Sequence, residues 1–515
     1  TNYVKGNNSY TVFAGANYSH VDGTETWNNE NYQFTQSLFD RESYSKNSYR
    51  NHQEYMQFRY QNQKGKRYWV GKFTLVNLST PRNASSGFAR ESTETDIFSN
   101  IRKKSLSPKI DLNANLPLSK NQTLTLGVHG KYSANSYHRL YQEQPFETMT
   151  DEDEKALSFQ LSAIYNYFSQ KHSLSVELFH YHDVWNADYS GNCELWQHLW
   201  KGESLAFFSY NFQASRRLSL KTRIGLDWLQ YHLHGDNSFS QLSPRINTNV
   251  QYQLNKGMLL WSFNFVNSNH GMDVINRAMI QVNSHMMEKG MPELKKSHDI
   301  NTYLYYMGRF NRLSVSAIGQ FRYNHHPVTD DYYLDEANGK IVKTYSNGGN
   351  AQYYSAILAL QYKLCKFANL SGDIRYNHAE VKTTWSKHNN NLTGNLGLNM
   401  FMGDFALKPY LHFGKKSLDE AALVISKTPI DYGMSCSYSR GNLYVELQAV
   451  SPFKKQEKQY WLDLPIYSYS KSIKDQTASQ YASIKVAYSF DFGRKTQKVE
   501  KDVNKNINSS LLRVE

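Results

Sequence analysis

From residue 481 to residue 492 apolar and polar side chains alternate without a break. Ala482, Ile484, Val486, Tyr488, Phe490 and Phe492 share one register; Tyr481, Ser483, Lys485, Ala487, Ser489 and Asp491 share the other. A period of two places the two sets on opposite faces of a β-strand. The pattern recurs along the chain. Leu218, Leu220, Ile224, Leu226 and Trp228 oppose Ser219, Lys221, Arg223 and Asp227. Ile246, Val250, Tyr252 and Leu254 oppose Arg245, Asn247, Asn249 and Gln251. Leu313, Val315, Phe321 and Tyr323 oppose Arg312, Ser314, Gln320 and Arg322, and Leu370, Ile374 and Tyr376 oppose Ser371, Asp373 and Arg375. Segments 110–118, 124–132, 157–167, 392–400 and 443–449 behave alike. This reading gives about 20 strands, many reaching the ~9–11 residues that cross a bilayer obliquely, whereas strands of soluble proteins average ~5–6.

The connections alternate in length. Short polar turns stand at 63–66, 119–121, 169–172, 214–217, 254–257, 310–312, 402–404 and 439–442. Long segments stand between them, near 19–51, 78–105, 133–153, 183–203, 267–298, 325–350 and 451–478. Tight turns on one side and long loops on the other are the signature of outer-membrane barrels. A soluble sandwich has no reason to sort its loops so, and no propeller-like repeat is present. The expected fold is therefore all-β: a transmembrane antiparallel β-barrel, polar inside, with its apolar faces on lipid. No Lys, Arg, Asp or Glu interrupts the apolar registers, where one Arg or Lys at mid-bilayer would cost roughly 2–4 kcal/mol. The last strand should end on the periplasmic side, so the long loops face outward. Within one of them, 272–289, Ile275, Met279, Val282 and Met286 have roughly helical spacing; a short helix and an apolar loop packed on its neighbours both fit.

Composition sharpens this picture. Mean hydropathy is −0.68, and no apolar run approaches the ~20 residues of a membrane helix. The chain holds 39 Tyr and 26 Phe, in keeping with strands and with aromatic belts at membrane interfaces. A net charge of +13 is spread along the chain without a nucleic-acid motif; membrane phosphates suit it at least as well. Cys193, Cys365 and Cys436 stand far apart and have no metal spacing. No catalytic motif is found, so the expectation is a non-enzyme with no catalytic residue, cofactor or metal site. The adjacent His325 and His326 make a poor metal site. Lys221, Arg223, Asp227, Arg245, Arg312, Arg322, Asp373, Arg375 and Lys485 should project inward, as a wall of paired charges or as a surface toward a plug or solute. Trp27, Trp196, Trp200, Trp385 and Trp461 are the candidate ligand contacts in the outer loops, because an exposed aromatic plate can stack on a sugar or apolar group. Trp185 and Trp385 also stand near strand ends, where an outer aromatic girdle would lie.

At 242–265, "LSPRINTNVQYQLNKGMLLWSFNF", and 290–306, "GMPELKKSHDINTYLYY", the chain resembles the barrel domain of TonB-dependent outer-membrane receptors. It is most similar to the barrel family that follows a carboxypeptidase-regulatory-like domain and a plug. That family carries GNPxLKPE before a Tyr-rich descending strand. Gly290, Pro292, Glu293, Leu294 and Lys295 match in place, while Met291 replaces Asn and Lys296 replaces Pro. The likeness covers about 240–330 by motif and the remainder by architecture. It implies a 22-stranded barrel with nine strands after the motif. It also implies a lumen gated by the plug of the same chain, TonB as energy source, and uptake of a nutrient such as a metal chelate, oligosaccharide or peptide. Outer-membrane lipid and lipopolysaccharide are the expected surroundings, and a surface lipoprotein is a further candidate partner. A passive porin-like or structural barrel is the alternative. The expected layout is a barrel over 1–493, its plug and first strand pair lying before Thr1, and a periplasmic tail over 494–515.

Overall fold

The computed structural model describes residues 2–35, 37–236, 238–268, 271, 273–454, 456–475, 480–489, 503–507 and 509–513. Among them the regular secondary structure is strand, arranged as one sheet of 25 strands and one of four. Five members of the large sheet are short and stand outside its main run: Asn2–Lys5, Lys415–Asp419, Val424–Thr428, Glu457–Asp463 and Tyr467–Lys474. The other 20 run as a continuous antiparallel wall, nine of them after the Gly290–Lys296 stretch.

The wall is inside out relative to a soluble protein. On the strand Leu218–Leu233 the outward side chains Ile224, Leu226 and Trp228 are 52%, 51% and 48% exposed, while inward Asp227 is fully buried. Ladder register extends the apolar band sideways, since Ile224 stands opposite Phe208 on one neighbour and Ile246 on the other. Burying apolar area from water stabilises by about 25 cal/mol per Å², so a band of this kind is stable only against lipid tails or another apolar surface. Beyond Trp228 the pattern inverts. The inward register now carries Leu229, Tyr231 and Leu233, 4%, 4% and 1% exposed, and the outward one carries Gln230 and His232. The inversion marks the level at which the apolar band ends outside and packed protein begins inside.

All eight short turns are observed as tight connections between antiparallel neighbours. In the turn after Lys64, Gly65 adopts φ +61°, the left-handed backbone that lets a two-residue hairpin follow the strand twist. The long segments differ from expectation. Near 19–51, 78–105, 133–153 and 183–203 they are not loops. The strands Asn8–Gln33 and Leu38–Lys64 have 26 and 27 residues and stay paired almost to their tip, more than twice the ~9–11 residues of a bilayer crossing. Ladder hydrogen bonds continue because the alternation continues, with its inside and outside exchanged. The stretch 273–289 is not helical; it holds the strands Met279–Gln281 and Met286–Lys289 and packs as an apolar loop. Trp185 is no girdle residue. It points inward, is 5% exposed, and packs with Leu199, Leu229, Tyr231 and Ile275, because at its height the interior is filled. Arg312 sits in the turn between Phe310 and Leu313 rather than on the wall. Residues 490–492 lie outside the described residues; the last strand is Tyr481–Tyr488.

At the rim on the long-loop side, Glu25–Tyr32 of the first wall strand pairs with the short strand Tyr467–Lys474. Lower down, among the described residues, Tyr481–Tyr488 pairs only with Leu443–Val450, and Asn2–Lys5 only with Asn8–Gln33.

Candidate functional site at the outer mouth

The end of the interior on the long-loop side, the outer mouth in the expected orientation, is crossed by a cap. Its framework is the four-stranded sheet of Met279–Gln281, Met286–Lys289, Lys340–Ser346 and Thr329–Asp335. The sequence folds inward here because its apolar positions outnumber what a solvated loop can expose. Ile275, Ala278, Ile280, Met286, Leu294, Ile341 and Val342 are all buried. Asn283 shapes the tip: its side-chain oxygen accepts from the His285 and Met286 N–H groups at 2.9 and 2.8 Å, an Asx-type turn.

The cap is tied to the wall at widely separated strands. On Leu218–Leu233, the Tyr231 hydroxyl donates to the Leu294 carbonyl at 2.9 Å, and buried Lys296 reaches Asp227 at 2.8 Å. Arg245 holds the same carboxylate at 2.5 Å and Glu203 at 3.4 Å. Next, Asn276 donates to the Tyr189 hydroxyl at 2.7 Å, and the Arg277 N–H to Gln197 at 3.1 Å. Further round, Arg139 donates to the carbonyls of Gln281 and Val282 at 2.9 and 2.6 Å. The tip enters a charged pocket on the far side. There Asn283 donates to the Tyr32 hydroxyl at 3.2 Å, Ser284 to Glu143 at 3.1 Å, and His285 stands 2.9 Å from Glu91. Arg41, 4% exposed, organises this pocket by ion pairs to Glu143 at 2.7 Å and Glu30 at 3.4 Å. Tyr32 and Tyr467 donate to Glu30 at 2.9 and 2.7 Å. Buried charges are tolerated where they are paired and hydrogen-bonded in this way.

Within the cap, Lys343 lies between Glu288 at 3.3 Å and Asp330 at 3.4 Å. Burial pushes the Asp330 carboxyl up to about 6, Lys343 opposing and Glu288 adding to the rise. The Tyr345 hydroxyl, which donates to Glu288 at 2.9 Å, is raised by burial and by that carboxylate.

The matched motif forms the hinge between cap and wall. Gly290 allows close approach, since a Cβ there would meet the Asn276 carbonyl oxygen at 2.2 Å. Pro292 and Leu294 present carbonyls to Tyr231, and Leu294 itself is buried. Asn347 donates to the Lys295 carbonyl, while Glu293 is exposed. Lys296, where the motif has Pro, supplies the buried cation. Arg223, Arg322, Asp373 and Arg375 of the wall are paired. Arg223 meets Glu177 at 2.5 Å and stacks over Phe207 at 3.6 Å. Arg322 bridges Asp299 at 3.3 Å and Glu420 at 2.8 Å, and Asp373 meets Arg375 at 2.6 Å.

The five tryptophans do not converge. Trp27 packs on Tyr44 and Phe88, in the register opposite to buried Glu30. Trp196 and Trp200 alternate with buried Gln197 and Leu199 and so face outward, beside His198 and His182 respectively. Trp385 donates to Asp331 of the cap at 2.8 Å. Trp461 lines an open groove of about 600 Å³ with Lys415, Lys416, Lys427 and Ile430. Sequence reasoning missed the Arg41 pocket and the tip that fills it. The available signal was a set of charges, Glu30, Arg41 and Glu143, near the ends of strands whose inward register was turning apolar.

No family model and no curated protein matches the chain. Solved structures do match in fold. They include the copper transporter OprC, at TM-score 0.55 and 10% identity, with 88% of this chain and 81% of that chain covered. The ferric citrate transporter FecA in its unliganded form matches at 0.53 and 9%, over 88% and 78%. The siderophore receptor PirA from Pseudomonas aeruginosa matches at 0.51 and 10%, over 88% and 80%. These are TonB-dependent receptors, and the chain has the fold of their barrel domain.

Proposed function

We propose that the chain is the barrel of an outer-membrane import receptor. Ligand is captured at the outer mouth and passes through a lumen gated by a plug and energised by TonB. The observation that carries this reading is the inside-out wall of 20 crossing strands, closed over at its outer end by an anchored cap, in a fold shared with transporters and receptors over 88% of the chain. A passive pore fits less well, because such a cap obstructs free flow. No catalytic step is assigned. Among the described residues, the free edges of Tyr481–Tyr488 and Asn2–Lys5 suit further strand pairing between them, as the 22 strands implied by the family likeness require. Trp385 and Trp461, at the rim, are the tryptophans best placed to meet a ligand. The apolar band suits outer-membrane lipid, and the lysines beside Trp461 suit lipopolysaccharide phosphates.

The test is uptake in cells. A panel of radiolabelled ferric chelates, oligosaccharides and peptides is offered to wild type, to a strain lacking the gene, and to one lacking TonB. Import predicts that one class is lost equally in both mutants and stops when a protonophore is added. Uptake that survives loss of TonB contradicts the reading.

A further inference from the structure

The interior holds an extended stretch of the chain's own sequence, residues 503–507 and 509–513, seated at two stations on the wall. At the lower station Lys109, 6% exposed, donates to the carbonyls of Asn504 and Asn506 at 3.0 and 2.7 Å. Lys505 donates to Gln53 at 2.9 Å and lies 4.4 Å over the Tyr55 ring. At the upper station Glu154, 2% exposed, accepts from both the N–H and the hydroxyl of Ser510, at 2.7 and 2.5 Å. Asn276 donates to the Ser510 carbonyl at 2.9 Å, and the Leu512 N–H donates to the Tyr189 hydroxyl at 3.1 Å. Leu511 and Leu512, each 2% exposed, pack with Tyr137, Ala187 and Tyr189 of the wall and Ala278 and Ile280 of the cap.

These contacts define a receptor for peptide main chain. Buried side chains of the wall and the cap accept the segment's N–H groups and donate to its carbonyls, which is how a peptide main chain is held without a sheet edge. The Glu154 carboxylate suits a small hydroxyl residue, and the apolar contacts suit two aliphatic residues after it. We propose that the interior carries a peptide-binding site centred on Glu154 and Tyr189 of the wall and Asn276 of the cap, and that its resident occupants are residues 503–507 and 509–513. The occupant fastens the cap to the wall, because Leu511 and Leu512 lie between them. A peptide of the same pattern entering the interior would compete for the site. The inference stands on the wall geometry and is independent of the import reading.

The full chain in detergent is digested with trypsin, and cleavage after Lys505 is followed by mass spectrometry. Heat-modified gel mobility reports that the barrel stays folded. The native segment should resist, and Leu511→Asp with Leu512→Asp should be cut at least tenfold faster. Ser510→Pro, which deletes the N–H and hydroxyl donors to Glu154, is the second variant and should act in the same direction. Millimolar synthetic peptide of sequence 503–513 should saturably accelerate cleavage of the native chain, and its Ser510→Pro version should not. Equal cleavage rates in native and variant chains would overturn the proposal. So would indifference of the native chain to the added peptide.

Discussion

The lower and upper halves of the strand Leu218–Leu233 obey opposite rules. In the lower half Leu220, Ile224, Leu226 and Trp228 point out and Arg223 and Asp227 point in; in the upper half Leu229, Tyr231 and Leu233 point in. Backbone, twist and ladder are continuous across the change. What differs is the surroundings. Below, apolar side chains face out, as lipid would require, and charged ones face in. Above, water returns outside and the cap turns the interior into a core. One strand thus suits two surroundings, and the function proposed above needs both: the lower half to stay in the membrane, the upper half to build a mouth.

The largest effect should come from charging the lower outward register. Ile224→Arg, at the middle of the outward apolar band, should destabilise the barrel by roughly 2–4 kcal/mol in lipid vesicles, whereas Gln230→Arg, six residues further along on the same face, should change stability by less than about 0.5 kcal/mol. Guanidinium unfolding of vesicle-inserted protein separates the two, and equal effects would abolish the distinction. Next is the upper inward register. Leu233→Ala should cost about 2–4 kcal/mol, read as faster amide exchange in 273–296 while the lower wall stays protected. Lys296→Met, which removes one partner of Asp227 but leaves Arg245, should loosen the same segment by about 1–3 kcal/mol.

The extent to which the sequence foretold this molecule follows from the same contrast. Period two, the absence of charge in one register and the sorted turn lengths are local properties, and they placed the wall strands and the eight tight turns. In the upper half apolar residues still alternate, but on the other face. Composition therefore suggested loops at 19–51 and 183–203, although Tyr32, Trp185 and Leu199 are core residues. The cap was ambiguous because Ile275, Met279, Val282 and Met286 suit a helix as well as a packed turn; the fold was decided by partners more than 40 residues away, such as Tyr231 and Arg139. The matched motif was visible at Gly290–Lys295, but its role as hinge depends on Asp227 and Tyr231. The Arg41 pocket assembles residues 30, 41, 91, 143 and 285, which no spacing rule connects. The seating of Leu511 and Leu512 was foreshadowed only by an aliphatic pair in an otherwise polar tail.

The smallest effect concerns pH. Asp330 has its carboxyl raised from 3.8 to about 6 by burial, so the folded cap binds the proton more tightly than the unfolded chain. The cap stability contributed by this group is complete below about pH 4 and falls as pH rises through about 6. Amide exchange in 329–346, corrected for intrinsic rate, should accelerate over that window, and Asp330→Asn should flatten the dependence.

The inversion itself can be measured directly. Single spin labels are placed at residues 220 to 233 of the vesicle-inserted protein, and relaxation by oxygen, which partitions into lipid, is compared with relaxation by a water-soluble nickel chelate. The account predicts high oxygen accessibility at 220, 224, 226 and 228, the nickel reagent dominant at 230 and 232, and little access by either at 229, 231 and 233. Nickel accessibility at 224 and 226, or an oxygen maximum that continues unchanged to 232, would contradict it.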